Sequence, residues 1–285
     1  MLQNILLASA DSGQAEQMLG KLLDMPFFQR ASVTVLHVVP EKSNTQEMEA
    51  SREKGAKILA KTVEALHLSE RTIVGVNTLL KEGDPKTTVC QVADELGSDL
   101  IIMGSRGLKR LQSIFENSVS QYVFQLSSKP MLLVKDDLFI KRIKRVMVAV
   151  DPTASSQEAL VLATRILRGV DDAEIQLVHV SKNFSVRAKL SEADAMTDEI
   201  LAQSIKLVKR EGFAFQCFTG TGKPGKEICD LADEFNTDLI VMGSPDRRPS
   251  VARNLVDIDR LLGSSVSDSV RIQADCPVLF VRKAE

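Results

Sequence analysis

Asp99-Leu100-Ile101-Ile102-Met103-Gly104-Ser105 returns 139 residues later as Asp238-Leu239-Ile240-Val241-Met242-Gly243-Ser244. In each copy a short apolar run, too short for a helix, leads straight into a glycine turn. That is the pattern of a strand covered on both faces. Outward from this motif the doubling continues. Val35-Leu36-His37-Val38 matches Leu177-Val178-His179-Val180 at an offset of 142, and Ile5-Leu6-Leu7-Ala8 matches Val146-Met147-Val148-Ala149 at 141. The segments around Pro130 and Pro277 match at 147, so the second copy has gained eight residues between its Met-Gly-Ser turn and its last strand. Solenoid repeats run to roughly 20–50 residues. Repeats of this size are domains, 1–138 and 142–285, each long enough for its own core.

Within the first copy, strand-like and helix-like stretches alternate. Ala15, Met18, Leu19, Leu22 and Leu23 lie on one helical face after the first apolar run. Ser32 to Val39 reads as a strand, Ala56 to Leu66 as a helix, and Ile73 to Leu80 as a third strand. Val89, Val92, Ala93 and Leu96 mark a helix closed by Gly97. A helix from about Ser118 to Leu126 then separates the motif strand from Met131 to Val134. The predicted fold class is therefore α/β: two repeated doubly wound domains, each a five-stranded parallel sheet with helices on both faces. Ligands of such sheets bind at the carboxyl ends of the strands, where strand order reverses.

Composition narrows the function. Hydrophobic residues at 44% and charged residues at 26% match an ordinary soluble globular protein. A net charge of −2 gives no reason to expect nucleic acid as a partner. No apolar run approaches the ~20 residues of a membrane span. The first residues lack a signal-peptide pattern, so a cytoplasmic location is expected. Cys90, Cys217, Cys229 and Cys276 form no C-x-x-C pair and read as reduced, packed residues.

The turn after the motif strand of the first copy carries the strongest chemical signal. Gly104-Ser105-Arg106-Gly107 is followed by nine residues and then Asn117-Ser118-Val119-Ser120. Glycines let the backbone approach a polyphosphate, and serines at a helix start stand where free N–H groups and the helix dipole favour an anion. The second copy reads Gly243-Ser244-Pro245-Asp246, and Gly263-Ser264-Ser265 appears only after sixteen further residues. There an acid replaces the second glycine and a proline removes a donor, both unfavourable to phosphate.

The whole chain resembles the universal stress protein family, as a tandem of two such domains. In that family the nucleotide loop reads Gly, two residues, Gly, nine residues, Gly, then Ser or Thr. Gly104, Gly107 and Ser118 match it in register, and Asn117 stands at the third glycine. Asn accepts left-handed backbone angles more readily than most residues. The resemblance also implies an Asp after the first strand and a Val on the second, both near the adenosine. Val38 fits the second in domain 1, while Ala10 occupies the Asp position and Asp11 follows it. In domain 2, Asp151 and Val180 fit both, but the loop is degenerate and carries an insertion over 246–262.

What the resemblance implies is a stress-response regulator that binds ATP, with Mg²⁺ as an optional companion. Its implied nucleotide site comprises Ala10, Asp11, Val38, Met103, Gly104, Gly107, Asn117, Ser118, Val119 and Ser120. The corresponding positions in domain 2 are Asp151, Val180, Gly243, Gly263, Ser264 and Ser265. It further implies an internal pseudo-dimer, with Met131 to Val134 beside Val278 to Val281, and leaves room for a homodimer. Two alternatives stand beside it: a scaffold that binds no nucleotide, and a slow ATP hydrolase. No evident water-activating base or nucleophile arrangement appears, so little or no turnover is expected. Gly220 to Glu227 mimics a P-loop, yet Glu227 stands where Ser or Thr must hold Mg²⁺. His37 and His179, equivalent on the second strand of each copy, read as hydrogen-bonded structural histidines.

Overall fold

A computed structural model of the chain describes residues 2–10, 13–67, 73–105, 118–181, 186–244 and 265–282. The chain forms two compact units, Met1–Ile140 and Lys141–Glu285. In domain 1 the elements run β1 (Asn4–Ala8), α1 (Gln14–Leu23), β2 (Ser32–Val39), α2 (Thr45–Ala65) and β3 (Gly75–Glu82). They continue with α3 (Pro85–Glu95), β4 (Leu100–Ser105), α4 (Val119–Leu126) and β5 (Met131–Lys135). The strands lie in the order β3-β2-β1-β4-β5, every pair parallel.

The steps β1–β2–β3 run one way across this sheet, and the chain returns through α3 to β4 and β5. Right-handed crossovers therefore put α1 and α2 on one face and α3 and α4 on the other. Strand order reverses between β1 and β4, which pair from Ile5–Leu100 to Ala8–Met103. Ile5, Leu6, Leu7, Ile101 and Ile102 are fully buried between the helix layers, with Phe28 and Phe124 beside them. Each such side chain contributes about 1.5–3 kcal/mol on leaving water, so the inner strands hold the crevice rigid.

Domain 2 repeats the plan with β6 (Arg145–Ala149), α5 (Ala154–Leu167), β7 (Glu174–Val180), β8 (Ala188–Leu190) and α6 (Glu192–Ala195). Then come α7 (Glu199–Arg210), β9 (Ala214–Gly220), α8 (Pro224–Glu234), β10 (Leu239–Gly243), α9 (Val266–Gln273) and β11 (Val278–Val281). Five parallel strands stand in the order β11-β10-β6-β7-β9. The sixth, β8, lies antiparallel on the outer edge of β9 and departs from the expected five. Between β2 and β3 the described residues make one long helix, α2, whereas between β7 and β9 they make β8, α6 and α7.

The aspartate that opens each motif has a structural task. Asp99 Oδ2 accepts the backbone N–H groups of Gln3 and Asn4 at 2.9 and 3.0 Å, pinning the start of β1. Asp238 Oδ2 does the same for Lys144 and Arg145 at 3.0 and 2.8 Å, ahead of β6. The two inner strands of each domain are thus joined at their amino ends by a carboxylate. Their carboxyl ends remain for the crevice.

Candidate functional site

In domain 1 the chain leaves β1 through Ser9 and Ala10, and three other elements fix that exit. The Ser9 N–H donates to Leu36 O at 2.9 Å, extending the β1–β2 pairing by one residue. Ser9 Oγ donates to Glu16 Oε1 of α1 at 2.6 Å and lies 3.1 Å from Thr62 Oγ1 of α2. His37 Nδ1 of β2 lies 2.9 Å from Ser9 O, the structural hydrogen bond expected of this histidine. Ala10 stands exposed at the end of this buttressed turn, and Gly13 at φ 84° opens α1. Beside it, Met103 is buried, while Gly104, Ser105 and Val38 are half-buried at the same edge of the sheet.

α4 packs against β4 and begins at Ser118. Ser118 is the N-cap by position, but its side chain makes no cap hydrogen bond. Its Oγ instead lies 2.9 Å from Ser120 Oγ, and the next residue, Gln121, is buried and neutral. Among the described residues no side chain caps the start of α4, the Gln121 N–H turns to Ser118 O at 3.1 Å, and two hydroxyls stand beside the first turn and its dipole. Lys86 Nζ sits 3.9 Å above the Tyr122 ring in the first turn of α4 and adds a positive charge nearby. Ala10, Val38, Met103, Gly104, Ser118, Val119 and Ser120 all fall at this carboxyl edge. Asp11, Gly107 and Asn117 lie outside the described residues.

Domain 2 builds the same edge differently. Asp151 follows β6 and turns its carboxylate onto its own loop. Its Oδ1 accepts the Thr153 N–H at 2.8 Å and the Thr153 hydroxyl at 2.5 Å, while its N–H donates to Ser156 Oγ at 2.9 Å. Thr153 in turn caps α5 by accepting the Ser156 N–H at 3.2 Å. Gly243 is there for packing: a Cβ would meet Ser156 N at 2.6 Å and the Ser155 carbonyl carbon at 2.7 Å. Val180 ends β7, half-buried, with its backbone paired to Gly220.

The cap serine of α9 makes the side-chain bond that Ser118 of α4 does not. Ser265 Oγ accepts the Asp268 N–H at 3.1 Å and donates to Asp268 Oδ2 at 2.8 Å. Ser265 and Ser267 hydroxyls are 3.1 Å apart, and Ser244 Oγ, fully buried, donates to Ser267 Oγ at 3.5 Å. A buried carboxylate in the first turn of α9 is thus tied to the hydroxyl that caps the helix. Gly263, Ser264 and the insertion over 246–262 lie outside the described residues.

Sequence reasoning passed over Gln121 and Asp268, which differ between otherwise matching helix starts. The signal was present in the spacing: Ser265-x-x-Asp268 is an acidic capping box, and Ser118-x-x-Gln121 is its neutral counterpart. It also passed over Glu16 and Thr62, which lie on different helices and meet at Ser9.

The sequence model of the universal stress protein family matches residues 1–135 and, again, residues 142–282. This chain belongs to the universal stress protein family. Two curated relatives of the family each match about one domain's length. Universal stress protein Sll1654 of Synechocystis is 30% identical over 135 residues, spanning 47% of this chain and 86% of that protein. Universal stress protein YxiE of Bacillus subtilis is 28% identical over 151 residues, 47% of this chain and 100% of that protein. A crystal structure of a universal stress protein from Archaeoglobus fulgidus superposes over the full chain. Its TM-score is 0.77 at 22% identity, with 100% of this chain and 98% of that one covered, a likeness of fold.

Proposed function

We propose that this tandem universal stress protein binds one adenine nucleotide per chain, ATP, at the switch point of domain 1. The bound nucleotide then sets the protein's conformation or choice of partner. The observation that carries this reading is the start of α4. A helix end without a cap side chain among the described residues, flanked by the Ser118 and Ser120 hydroxyls, stands beside the end of β4. It is where a doubly wound sheet receives a polyphosphate. The loop residues Gly104 and Gly107 complete the cradle in this reading, and Val38 and the Ala10–Asp11 turn face the nucleoside. Domain 2 is read as silent, since its equivalent helix end holds Asp268 and its loop carries Pro245 and Asp246.

Calorimetric titration of nucleotide-stripped protein with Mg-ATP tests this directly. One site per chain is expected, abolished by Gly107→Glu with the melting temperature unchanged. Two sites per chain would contradict the silence of domain 2; binding untouched by Gly107→Glu would remove the site from domain 1. Steady phosphate release at several turnovers per second would replace the regulatory reading with an enzymatic one.

A further inference from the structure

The two repeats finish the outer edge of the sheet differently. In domain 2, β8 lies antiparallel on β9, pairing Ala188 with Thr219 and Leu190 with Cys217. In domain 1 the corresponding strand, β3, is outermost, and among the described residues it pairs with β2 alone. The shared Gly-x-Pro turns, Gly83-Asp84-Pro85 and Gly222-Lys223-Pro224, align Thr78, Leu79 and Leu80 with Cys217, Phe218 and Thr219. Beside β8 those three residues are buried. On β3, Thr78 is exposed and both leucines are half-buried. Gly75 to Leu80 also lack the charges and prolines that commonly keep a sheet edge from pairing.

Thr78, Leu80 and Glu82 face α2. Thr78 lines an open groove of about 600 Å³ opposite Ala56, Ala60 and Val63. Leu80 packs on Gly55, and Glu82 Oε1 accepts from Arg52 Nε at 2.7 Å. Strand residues alternate between faces, so Val76 joins this row, while Asn77, Leu79 and Lys81 form the other.

We infer that this edge binds β3 of a second copy of the chain, antiparallel about a two-fold axis through Thr78. Residues opposite one another in an antiparallel pair share a face, and centring on Thr78 satisfies that rule. Thr78 meets Thr78 of the other copy, Val76 lies opposite Leu80, and Asn77 lies opposite Leu79. Lys81 falls opposite Gly75, and Glu82 opposite Val74, which is 74% exposed in the single chain. The middle of the pairing is thus a hydroxyl pair flanked by apolar contacts, and no like charges meet. A two-fold contact must be self-complementary, and this register of β3 is. Ala56 and Ala60 are too short to fill the groove, which leaves room beside α2 for side chains of the incoming strand. β8 shows that the matching edge accepts an antiparallel strand; by occupying that edge it leaves the pairing to domain 1. The surface lies on β3 and α2 and does not depend on the nucleotide reading.

Sedimentation velocity of the full-length protein over a concentration series tests this. Wild type is expected to pass from monomer to dimer as concentration rises. Thr78→Lys sets two ammonium groups face to face on the axis and is expected to raise the dissociation constant roughly tenfold or more. Circular dichroism and melting curves check that the variant is folded, as substitution of an exposed residue should leave it. A short bis-maleimide is expected to link Thr78→Cys into a covalent dimer, above the background that wild type sets with its own cysteines. Val74→Cys, equally accessible but far from its counterpart across the axis, is expected to stay at that background. A wild type that remains monomeric throughout would overturn the inference and leave the edge to a strand of another protein. A dimer indifferent to Thr78→Lys, or equal cross-linking of Val74→Cys and Thr78→Cys, would overturn it as well.

Discussion

At the scale of single residues, the motif that repeats most faithfully is held together by its polar ends. Asp238 is nearly buried, and two backbone N–H groups depend on it. Asp238→Ala leaves both unpaired and is expected to lower unfolding free energy by about 2–3 kcal/mol. Asp238→Asn, which keeps an acceptor oxygen, should lose clearly less; equal losses in urea melts would mean the hydrogen bonds are unimportant. Gly243→Ala is expected to cost about 1–3 kcal/mol, since the α5 backbone must retreat from the new methyl group. A neutral outcome in the same melts would show that the α5 end yields freely. The thiols offer a pH test. Burial, and secondarily Glu192, pushes Cys217 up to about 11, so on the order of one molecule in a thousand carries the thiolate at pH 8. Cys276 is raised too, by burial first and by neighbouring Cys229 next. A raised thiol value means the thiolate grows in as pH climbs toward it. Alkylation of native Cys217 should therefore be very slow at pH 8 and about tenfold faster at pH 9. Peptide mass spectrometry reads this, and reaction of Cys217 at a free-thiol rate at pH 8 would contradict it.

At the scale of elements, what the sequence announced and what it concealed divide along burial. The inner strands were legible because both faces are covered, so their residues read as continuous apolar runs. α1 and α3 were legible from their one-sided stripes. α2 was expected only from Ala56, yet it begins at Thr45. Its first turns bury little beyond Met48, so no stripe appears there. β8 and α6 gave no signal, because a three-residue edge strand and a single helical turn are too short to show a period. The loop glycines and serines were legible as a phosphate motif. The cap chemistry that separates the two copies was not weighed, because it rests on one residue in each helix. A further case is α7, whose cap Asp198 accepts the Leu201 N–H at 2.9 Å and also lies 3.0 Å from His179 Nδ1. Asp198→Ala is expected to destabilise domain 2 by about 1–2 kcal/mol through the lost cap. Asp198→Asn should recover most of that, and no recovery would assign the effect to the histidine partner.

At the scale of the whole molecule, two copies of one fold have diverged at a matching edge, and the proposed consequence is a ligand response confined to one of them. A ligand that binds only the native state stabilises it by mass action, about 2.7 kcal/mol at a concentration 100 times its dissociation constant. That gain belongs to the domain that holds the ligand. Because the chain is two compact units, a single melting temperature need not describe it, and a local probe is the more informative measurement. Hydrogen exchange followed with and without saturating ATP should show slowed exchange in the first turn of α4, the end of β4 and the Ser9–Ala10 exit of β1. The matching segments of domain 2, namely the start of α9, the end of β10 and the Asp151 turn, should exchange as before. Their N–H groups already have partners in cis: Asp268 N–H on Ser265 Oγ, Ser244 N–H on Val281 O and Ser156 N–H on Thr153 Oγ1. Protection spread equally over both domains would mean that domain 2 takes the nucleotide as well. Protection absent from both, at concentrations that saturate calorimetric binding, would place the ligand away from the strand ends altogether.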